Sequence, residues 1–309
     1  MLKAGALFVT YLPTSEQVRH ISDVASEFDS VVAVDNSPPD SAVDPGSFGP
    51  GIKVVLNANQ GGIAGAFNRA IEVLLDEGVE HVYFFDQDSL IPHAYRKGME
   101  EALKSAPPAC LIGPRIYDVN LRAFSPRYNV SRWHYRADDV SQEDNAVLPC
   151  TLLISSGSVA TRQALEKCGP FREDYFIDDV DTEYCLRAGT LAVGVYLNTG
   201  LVLSHAIGDR EEHRFLGMRV RPSHHSALRR YYRSRNGIHL SSRQLVRSPA
   251  FFVHNQKRLA HETIGVILYE QRKLKKLVGI LIGIFDGLVG RLGDLSRSSP
   301  RLYRWLTTK

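Results

Sequence analysis

The amino-acid sequence predicts an α/β fold: a mostly parallel central sheet flanked by helices, with a helical region after it. Three observations lead there. Residues 1–90 alternate short apolar runs with segments of helical period, the pattern of strand–helix–strand units. The apolar runs are near-continuous, as strands buried on both faces are. The charge also turns over near residue 218. Residues 219–309 hold 19 Lys and Arg against four Asp and Glu, a balance of +15, while residues 1–218 stand at −12. The expected units are residues 1–218, an acidic catalytic body, and residues 219–309, a basic region that meets something anionic.

The elements follow in order. "ALFVTYL" (6–12) reads as a first strand, and "TSEQVRHISDVASEF" (14–28) as a capped helix with Val18, Ile21 and Val24 on one side. "SVVAVDNS" (30–37) is a second strand, followed by a Pro-, Gly- and Ser-rich loop over 38–51. "IKVVLN" (52–57) is a short third strand. "GGIAGAFNRAIEVLLDEG" (61–78) is a helix that turns Ile63, Phe67, Ala70 and Leu74 inward, and "HVYFFD" (81–86) is a fourth strand. Residues 93–218 are less regular, with strands expected at "ACLIGPRI" (109–116), "CTLLISSGSVAT" (150–161) and "AVGVYLN" (192–198), and a helix over about 181–189. From Arg219 the chain turns Arg- and Tyr-rich, then into helical segments with apolar faces.

Composition removes several classes. With 44% hydrophobic and 23% charged residues the chain is not a disordered one. Its four cysteines are scattered with no Cys-x-x-Cys pair, which points to a reducing compartment and no structural zinc. The apolar run 277–285, "LVGILIGIF", is too short to cross a bilayer. The opening "MLKAGALFVTYLP" lacks a small-residue cleavage site and reads better as a strand than as a leader.

The motif with the clearest chemistry is Asp86-Gln-Asp88. Asp86 and Asp88 leave a buried strand on one face, and carboxylates about 4 Å apart repel by roughly 1 kcal/mol in water and more when partly buried. A divalent cation and a diphosphate would offset that repulsion at the carboxyl end of a parallel strand; a solvated turn is the plain alternative. Asp35 ends another strand, where it could accept from a nucleobase imide or ribose hydroxyl, or simply form a turn. In "NANQGGIAGAFNRA" (57–70), Gly61 and Gly62 permit close backbone approach at a helix start. Asn68 lies beside that helix's apolar face and needs a hydrogen-bond partner.

"YFIDDVDTEYCLRAG" (175–189) packs Asp178, Asp179, Asp181 and Glu183 into six positions at a helix start, more than capping requires. A carboxylate placed beside an acceptor hydroxyl is what general-base chemistry needs. Arg187 is spaced to pair with Glu183. His205 follows a strand in "SHAIGD". Residues 219–247 hold eight arginines and no acid, a run that would suit phosphates or nucleic acid.

Taken in order, these segments resemble family 2 glycosyltransferases of the GT-A fold, and among them bacterial rhamnosyltransferases of O-antigen and surface-polysaccharide assembly. "VTYLP", "VVAVDNS", "NQGGIAGAFNRAI", "FFDQDS", "ISSGS", "YFIDDVDTEYCLRAG", "HAIGD" and "RRYYRSRN" carry the likeness over about residues 9–237. Leu12 departs from it, since a polar residue usually follows the Tyr. The resemblance implies a nucleotide-diphosphate sugar donor, dTDP-rhamnose in the first place, with Mg²⁺ or Mn²⁺ and inversion at the anomeric carbon. Thr10, Tyr11, Asp35, Asn59, Gly62, Asn68 and Asp86 would form the nucleotide-sugar pocket. Asp86, Asp88 and His205 would meet the metal and diphosphate. Asp181 matches the general base, with Asp178 as the second choice. Gly157, Glu183, Arg187, Arg233 and Arg235 would lie on the acceptor side.

The acceptor implied is a glycan on a lipid diphosphate, which places the enzyme in the cytoplasm, peripheral on the inner membrane. Lys273, Lys275 and Lys276 before the apolar run, with Arg291, Arg297, Arg301 and Arg304 after it, fit a membrane surface. A helix docked on its own domain or on a second copy fits them equally. The rival functions are a glycosyltransferase using a UDP- or GDP-sugar, a nucleotidyltransferase lacking its Gly-rich loop, and a nucleic-acid-binding module that would leave the carboxylates unexplained.

Overall fold

The computed structural model describes residues 2–143, 145–205, 213–215, 218–220 and 222–308, with the side chains of residues 205, 214, 215, 218 and 219 excepted. Its first half builds β1 (Ala4–Thr10), α1 (Ser15–Ala25), β2 (Ser30–Asp35), β3 (Ile52–Leu56), α2 (Gly62–Asp76) and β4 (His81–Asp86). Then come α3 (Tyr95–Lys104), β5 (Cys110–Asp118), β6 (Ala123–Phe124), β7 (Arg127–Val130), β8 (Tyr135–Asp138), β9 (Val147–Pro149), β10 (Val159–Thr161), α4 (Arg162–Cys168), α5 (Val180–Thr190) and β11 (Gly194–His205). The sheet runs β3–β2–β1–β4–β10–β5–β11–β9, with β6 beside β5. Within this sheet only β10, β9 and β6 pair antiparallel and the other pairs are parallel; β7 and β8 form a separate antiparallel pair. This is the mostly parallel, helix-flanked sheet expected.

Helix α1 starts where the sequence signals it. Thr14 Oγ1 accepts from the Gln17 N–H at 3.2 Å, while Gln17 Oε1 accepts from the Thr14 N–H at 2.9 Å. Both sheet faces are covered. Phe67, Leu74, Phe171 and Tyr184 pack beneath α2, α4 and α5 on one side. Val18, Ile21, Phe85 and Met99 pack beneath α1 and α3 on the other.

Two local expectations need correction. Residues 150–161 are not one strand: Gly157 holds φ +74°, and the Ser158 N–H closes a turn on the Ser155 carbonyl at 2.8 Å, so only Val159–Thr161 joins the sheet. Helix α3 was not foreseen. Its Tyr95, Met99 and Ala102 have helical period, but Ala94 offers no side-chain cap to mark the start.

After the β12–β13 hairpin (His213–Phe215 and Met218–Val220) the chain is helical: α6 (Ala227–Gln244), α7 (Pro249–Tyr269), α8 (Lys273–Val289), α9 (Leu295–Ser298) and α10 (Pro300–Thr307). Gly279, Gly283 and Gly287 recur every fourth residue on the face of α8 that meets α6. A Cβ at Gly279 would lie 2.8 Å from the Ala227 carbonyl, and one at Gly283 or Gly287 would overlap Ser234 and the Arg235 carbonyl. Backbone-to-backbone packing of this kind needs small residues. No helix among the described residues is long and apolar enough to cross a membrane.

Candidate active site at the carboxyl edge of the sheet

Parallel register brings the predicted residues to one edge. β1 pairs Thr10 with Asp35 of β2 and Val9 with Asp86 of β4. β2 and β4 lie on opposite sides of β1, a switch point that opens a crevice beyond the strand ends. The Tyr11 N–H donates to Gln87 Oε1 at 2.7 Å, linking the ends of β1 and β4, and the Tyr11 side chain is exposed. Leu12 takes φ +49° and donates its N–H to Ser37 Oγ at 2.7 Å, so this position acts through its backbone.

Asp35 is 1% exposed and accepts from Thr10 Oγ1 (3.2 Å), the Ser37 N–H (3.0 Å), Ser37 Oγ (2.6 Å) and the Val43 N–H (2.9 Å). Its carboxylate thus organises the loop after β2. Asn59 holds φ +54°, and its carbonyl accepts from the Gly62 N–H at 3.2 Å. Asn68 has the partners its position demanded: it accepts from the Phe171 N–H at 2.8 Å and donates to the Phe171 carbonyl and Glu173 Oε1, each at 2.9 Å. It fastens α2 to the segment before the acidic cluster.

Gly62 is where α2 meets that cluster. It holds φ +62°, its missing Cβ would overlap the Phe176 carbonyl, and the Ile63 N–H donates to that same carbonyl at 2.9 Å. Gly62→Ala is therefore expected to destabilise the fold by about 2–4 kcal/mol, from left-handed strain and a displaced hydrogen bond. Urea denaturation checks this.

Asp86 accepts a short hydrogen bond from Ser156 Oγ, and its N–H donates to Ser89 Oγ at 3.2 Å. Asp88 is exposed, with no hydrogen-bond or ion-pair partner among the described residues. Leu90 bridges to Ser204, which brings the end of β11, where His205 sits, beside this loop. The His205 side chain, on which its metal assignment rests, lies outside the described residues. Among the described residues no three His, Cys, Asp or Glu side chains gather to hold a metal. Gly157 is buried, donating its N–H to the Phe84 carbonyl at 2.7 Å and accepting from Tyr95 Oη at 2.5 Å.

The acidic segment is held in a strained path. Phe176, Asp178 and Asp179 all take positive φ, at +67°, +63° and +57°. Such conformations persist only where the surroundings enforce them. The enforcers come from α6. Asn236 Nδ2 reaches the carbonyls of Tyr175 (2.8 Å), Ile177 (2.8 Å) and Asp178 (3.0 Å). Arg235 donates to the carbonyls of Asp174 (3.0 Å), Tyr175 (3.1 Å) and Gly293 (2.6 Å), its guanidinium over the Tyr232 ring. Arg235 was expected on the acceptor side, but it is fully buried and spent on backbone carbonyls.

The carboxylates have different surroundings. Asp178 accepts from Arg229 Nε and Nη2 at 3.1 and 3.2 Å, with Arg233 3.6 Å away. Burial opposes its charge, yet the two guanidiniums hold its carboxyl below the usual range. Asp179 accepts from Arg258 at 3.3 Å. Arg233 spends its Nε on Glu262 at 2.8 and 2.9 Å, and Arg230 joins Glu262 to Glu270. Glu183 and Arg187 form the expected pair at 3.1 and 2.9 Å, and Arg187 also ties α5 to the carbonyls of Cys168 and Pro170. The four arginines of residues 226–237 are thus neutralised or bonded within the chain, leaving little for an outside polyanion. Arg221 lies outside the described residues.

Asp181 alone of the three aspartates has no cationic partner among the described residues. It accepts from the Thr182 N–H at 2.8 Å and from the Ser155 N–H. It lines a cavity of about 30 Å³ with Phe84, Phe171, Tyr184 and Ser158, room for about one water. Burial, reinforced by the nearby Asp179 and Asp178 charges, pushes its carboxyl up to about 6. The loop 155–156 joins the two ends of the site, since Ser155 holds Asp181 and Ser156 holds Asp86.

The sequence reading missed Arg229, Asn236 and Ser156. A signal existed for the first two: Arg229, Arg233 and Asn236 fall at i, i+4 and i+7, one helical face opposed to an acidic loop. Ser156 lies in the "ISSGS" segment of the family likeness, but no local chemistry set it apart from its neighbours.

No family model matches the chain. Two solved structures share its architecture at low identity and so speak to the fold alone. GalNAc-T7 with UDP, GalNAc and Mn²⁺ aligns with TM-score 0.53 at 10% identity, over 70% of this chain and 45% of that one. S. aureus TarS 1–349 aligns with TM-score 0.52 at 14% identity, over 94% of this chain and 82% of that one. The fold is the GT-A fold of glycosyltransferases. The chain is also 28% identical over 289 residues to the dTDP-rhamnosyl transferase RfbF of Shigella flexneri, covering 93% of this chain and 96% of that protein. The chain has the GT-A fold and resembles a dTDP-rhamnosyl transferase over nearly its whole length.

Proposed function

We propose that the protein transfers L-rhamnose from dTDP-rhamnose to a hydroxyl of a growing, lipid-linked surface glycan, with inversion, on the cytoplasmic face of the membrane. The observation that carries the mechanism is Asp181: a carboxylate with no cationic partner among the described residues, pushed by burial up to about 6 and tied through residues 155–156 to Asp86 at the donor edge. A base is most effective when its pKa lies near the working pH. The acceptor oxygen attacks the anomeric carbon as its proton passes to the Asp181 carboxylate. The bond from that carbon to the nucleotide diphosphate breaks, and the diphosphate leaves with the electron pair.

Asp86 and Asp88 suit Mg²⁺ or Mn²⁺: both offer hard oxygens, Asp88 is accessible, and such ions complete their shells with substrate phosphates and water. The ion would supply charge neutralisation at the leaving diphosphate. The sugar and nucleotide rest on the likeness to RfbF; a UDP- or GDP-sugar is the alternative. Thermal shift against a panel of nucleotide sugars, with and without Mn²⁺, tests both points. The expected result is stabilisation by dTDP-rhamnose that needs the metal, and that Asp88→Ala weakens about tenfold or more. A metal-independent shift, unchanged in Asp88→Ala, would remove the metal role. A larger shift with a UDP-sugar would replace the donor.

A further inference from the structure

The outer face of α8 has no partner among the described residues. Helical geometry puts its two long stripes on opposite sides. Gly279, Gly283 and Gly287 face α6, while Leu274, Leu281, Phe285 and Leu288 face outward. Leu281 is 65% exposed and Phe285 54%. Scattered exposed leucines need no explanation, but a continuous stripe over four turns does.

The surrounding charge identifies what covers it. Lys273 and Lys275 flank Leu274 about 100° to either side of the helix, the placement that lets long side chains snorkel past an apolar surface. Lys275 Nζ lies 5.7 Å from the centre of the Trp305 ring, so an amphipathic aromatic sits at the same margin. At the far end of the stripe Arg291 lies over Phe285; Arg297, Arg301 and Arg304 are exposed, Arg304 next to Trp305 at the Lys275 margin. The two acids of this stretch offset only two of these charges: Asp286 accepts from Tyr231 Oη at 2.8 Å and lies 3.9 Å from Arg291, and Asp294 caps α9 and lies 3.7 Å from Arg297. A second copy docked here would set one basic rim against another. A hydrocarbon boundary under anionic headgroups meets both the stripe and its rim.

The geometry points to the outer face of α8 as a membrane-surface contact, lying in the interface of an anionic bilayer. This goes beyond the proposed reaction and does not depend on the sugar. Burying the apolar face draws the helix to the acyl boundary, and the basic rim adds an attraction that salt screens.

Flotation of the full chain with vesicles tests it. Co-flotation is expected with equal parts phosphatidylglycerol and phosphatidylcholine at low salt, with a severalfold decrease at high salt and little binding to phosphatidylcholine alone. Leu281→Glu with Phe285→Glu replaces only exposed side chains and should weaken partition about tenfold or more, with the dTDP-rhamnose thermal shift retained. Failure of that shift in the wild-type chain would count against the donor alone. No flotation with anionic vesicles at low salt overturns the proposal, as does equal flotation of wild type and variant. Self-association in sedimentation that the double substitution abolishes, without flotation, would assign the face to a second copy instead.

Discussion

Replacing Asp181 by Asn is expected to lower kcat by about 10²–10⁴-fold, the range for losing a general base, while donor affinity stays within about twofold. The same substitution is expected to stabilise the protein. Asp181 has a folded pKa near 6, raised above the ordinary value of 3.8 by burial and by Asp179 and Asp178. Its charge therefore costs stability at neutral pH; the cost fades as pH falls through about 6 and is gone below about 4. Asn keeps an oxygen for the Thr182 N–H and carries no charge. The gain is on the order of 1–3 kcal/mol at pH 7–8, read as a higher Tm whose advantage disappears in acid. Wild-type activity should fall below about pH 6 as the carboxylate takes its proton. Near-normal turnover of Asp181→Asn would move the base to Asp178 or Asp179, and the corresponding Asn variants would then carry the loss.

Asn236→Ala is expected to cost about 2–4 kcal/mol and to lower kcat further than the stability loss explains. The side chain is fully buried and spends its amide on three carbonyls of one loop. Without it the Ile177 and Asp178 carbonyls lose this donor, while Tyr175 keeps Arg235, and the left-handed residues Phe176, Asp178 and Asp179 lose a contact that enforces them. Asn236→Asp should be worse than Ala, because it sets a carboxylate oxygen against carbonyl oxygens in a buried site. Urea denaturation and steady-state kinetics distinguish the outcomes. A change within about 0.5 kcal/mol for Ala, or a milder effect for Asp, would show that the loop is held by Arg235 and α2 alone.

The parts of the site legible in the sequence are those set by local chemistry. Asp86 and Asp88 stand out because like charges follow a buried strand, and Asp35 because it ends another. The Glu183–Arg187 pair follows from helical spacing alone. Asn68 could be assigned a need for a partner, but Phe171 and Glu173 lie more than a hundred positions along the chain and carry no mark of the pairing. The basic run misled for a related reason. Composition counts charges but not their neighbours, and Glu262, Glu270 and Asp178, on other elements, absorb arginines that looked available for an outside anion.

Amphipathic period, capping and apolar continuity by themselves determined the strand–helix alternation of residues 1–90, the parallel sheet and the carboxylates at its edge, because these depend on residues within a few positions of each other. Only the tertiary structure decided which aspartate has no cationic partner among the described residues, that the Arg235 guanidinium goes to the carbonyls of Asp174, Tyr175 and Gly293, and that β10 runs antiparallel between β4 and β5. Those outcomes depend on which distant groups share a low-dielectric space, where one guanidinium more or less separates a fixed anion such as Asp178 from a proton acceptor such as Asp181.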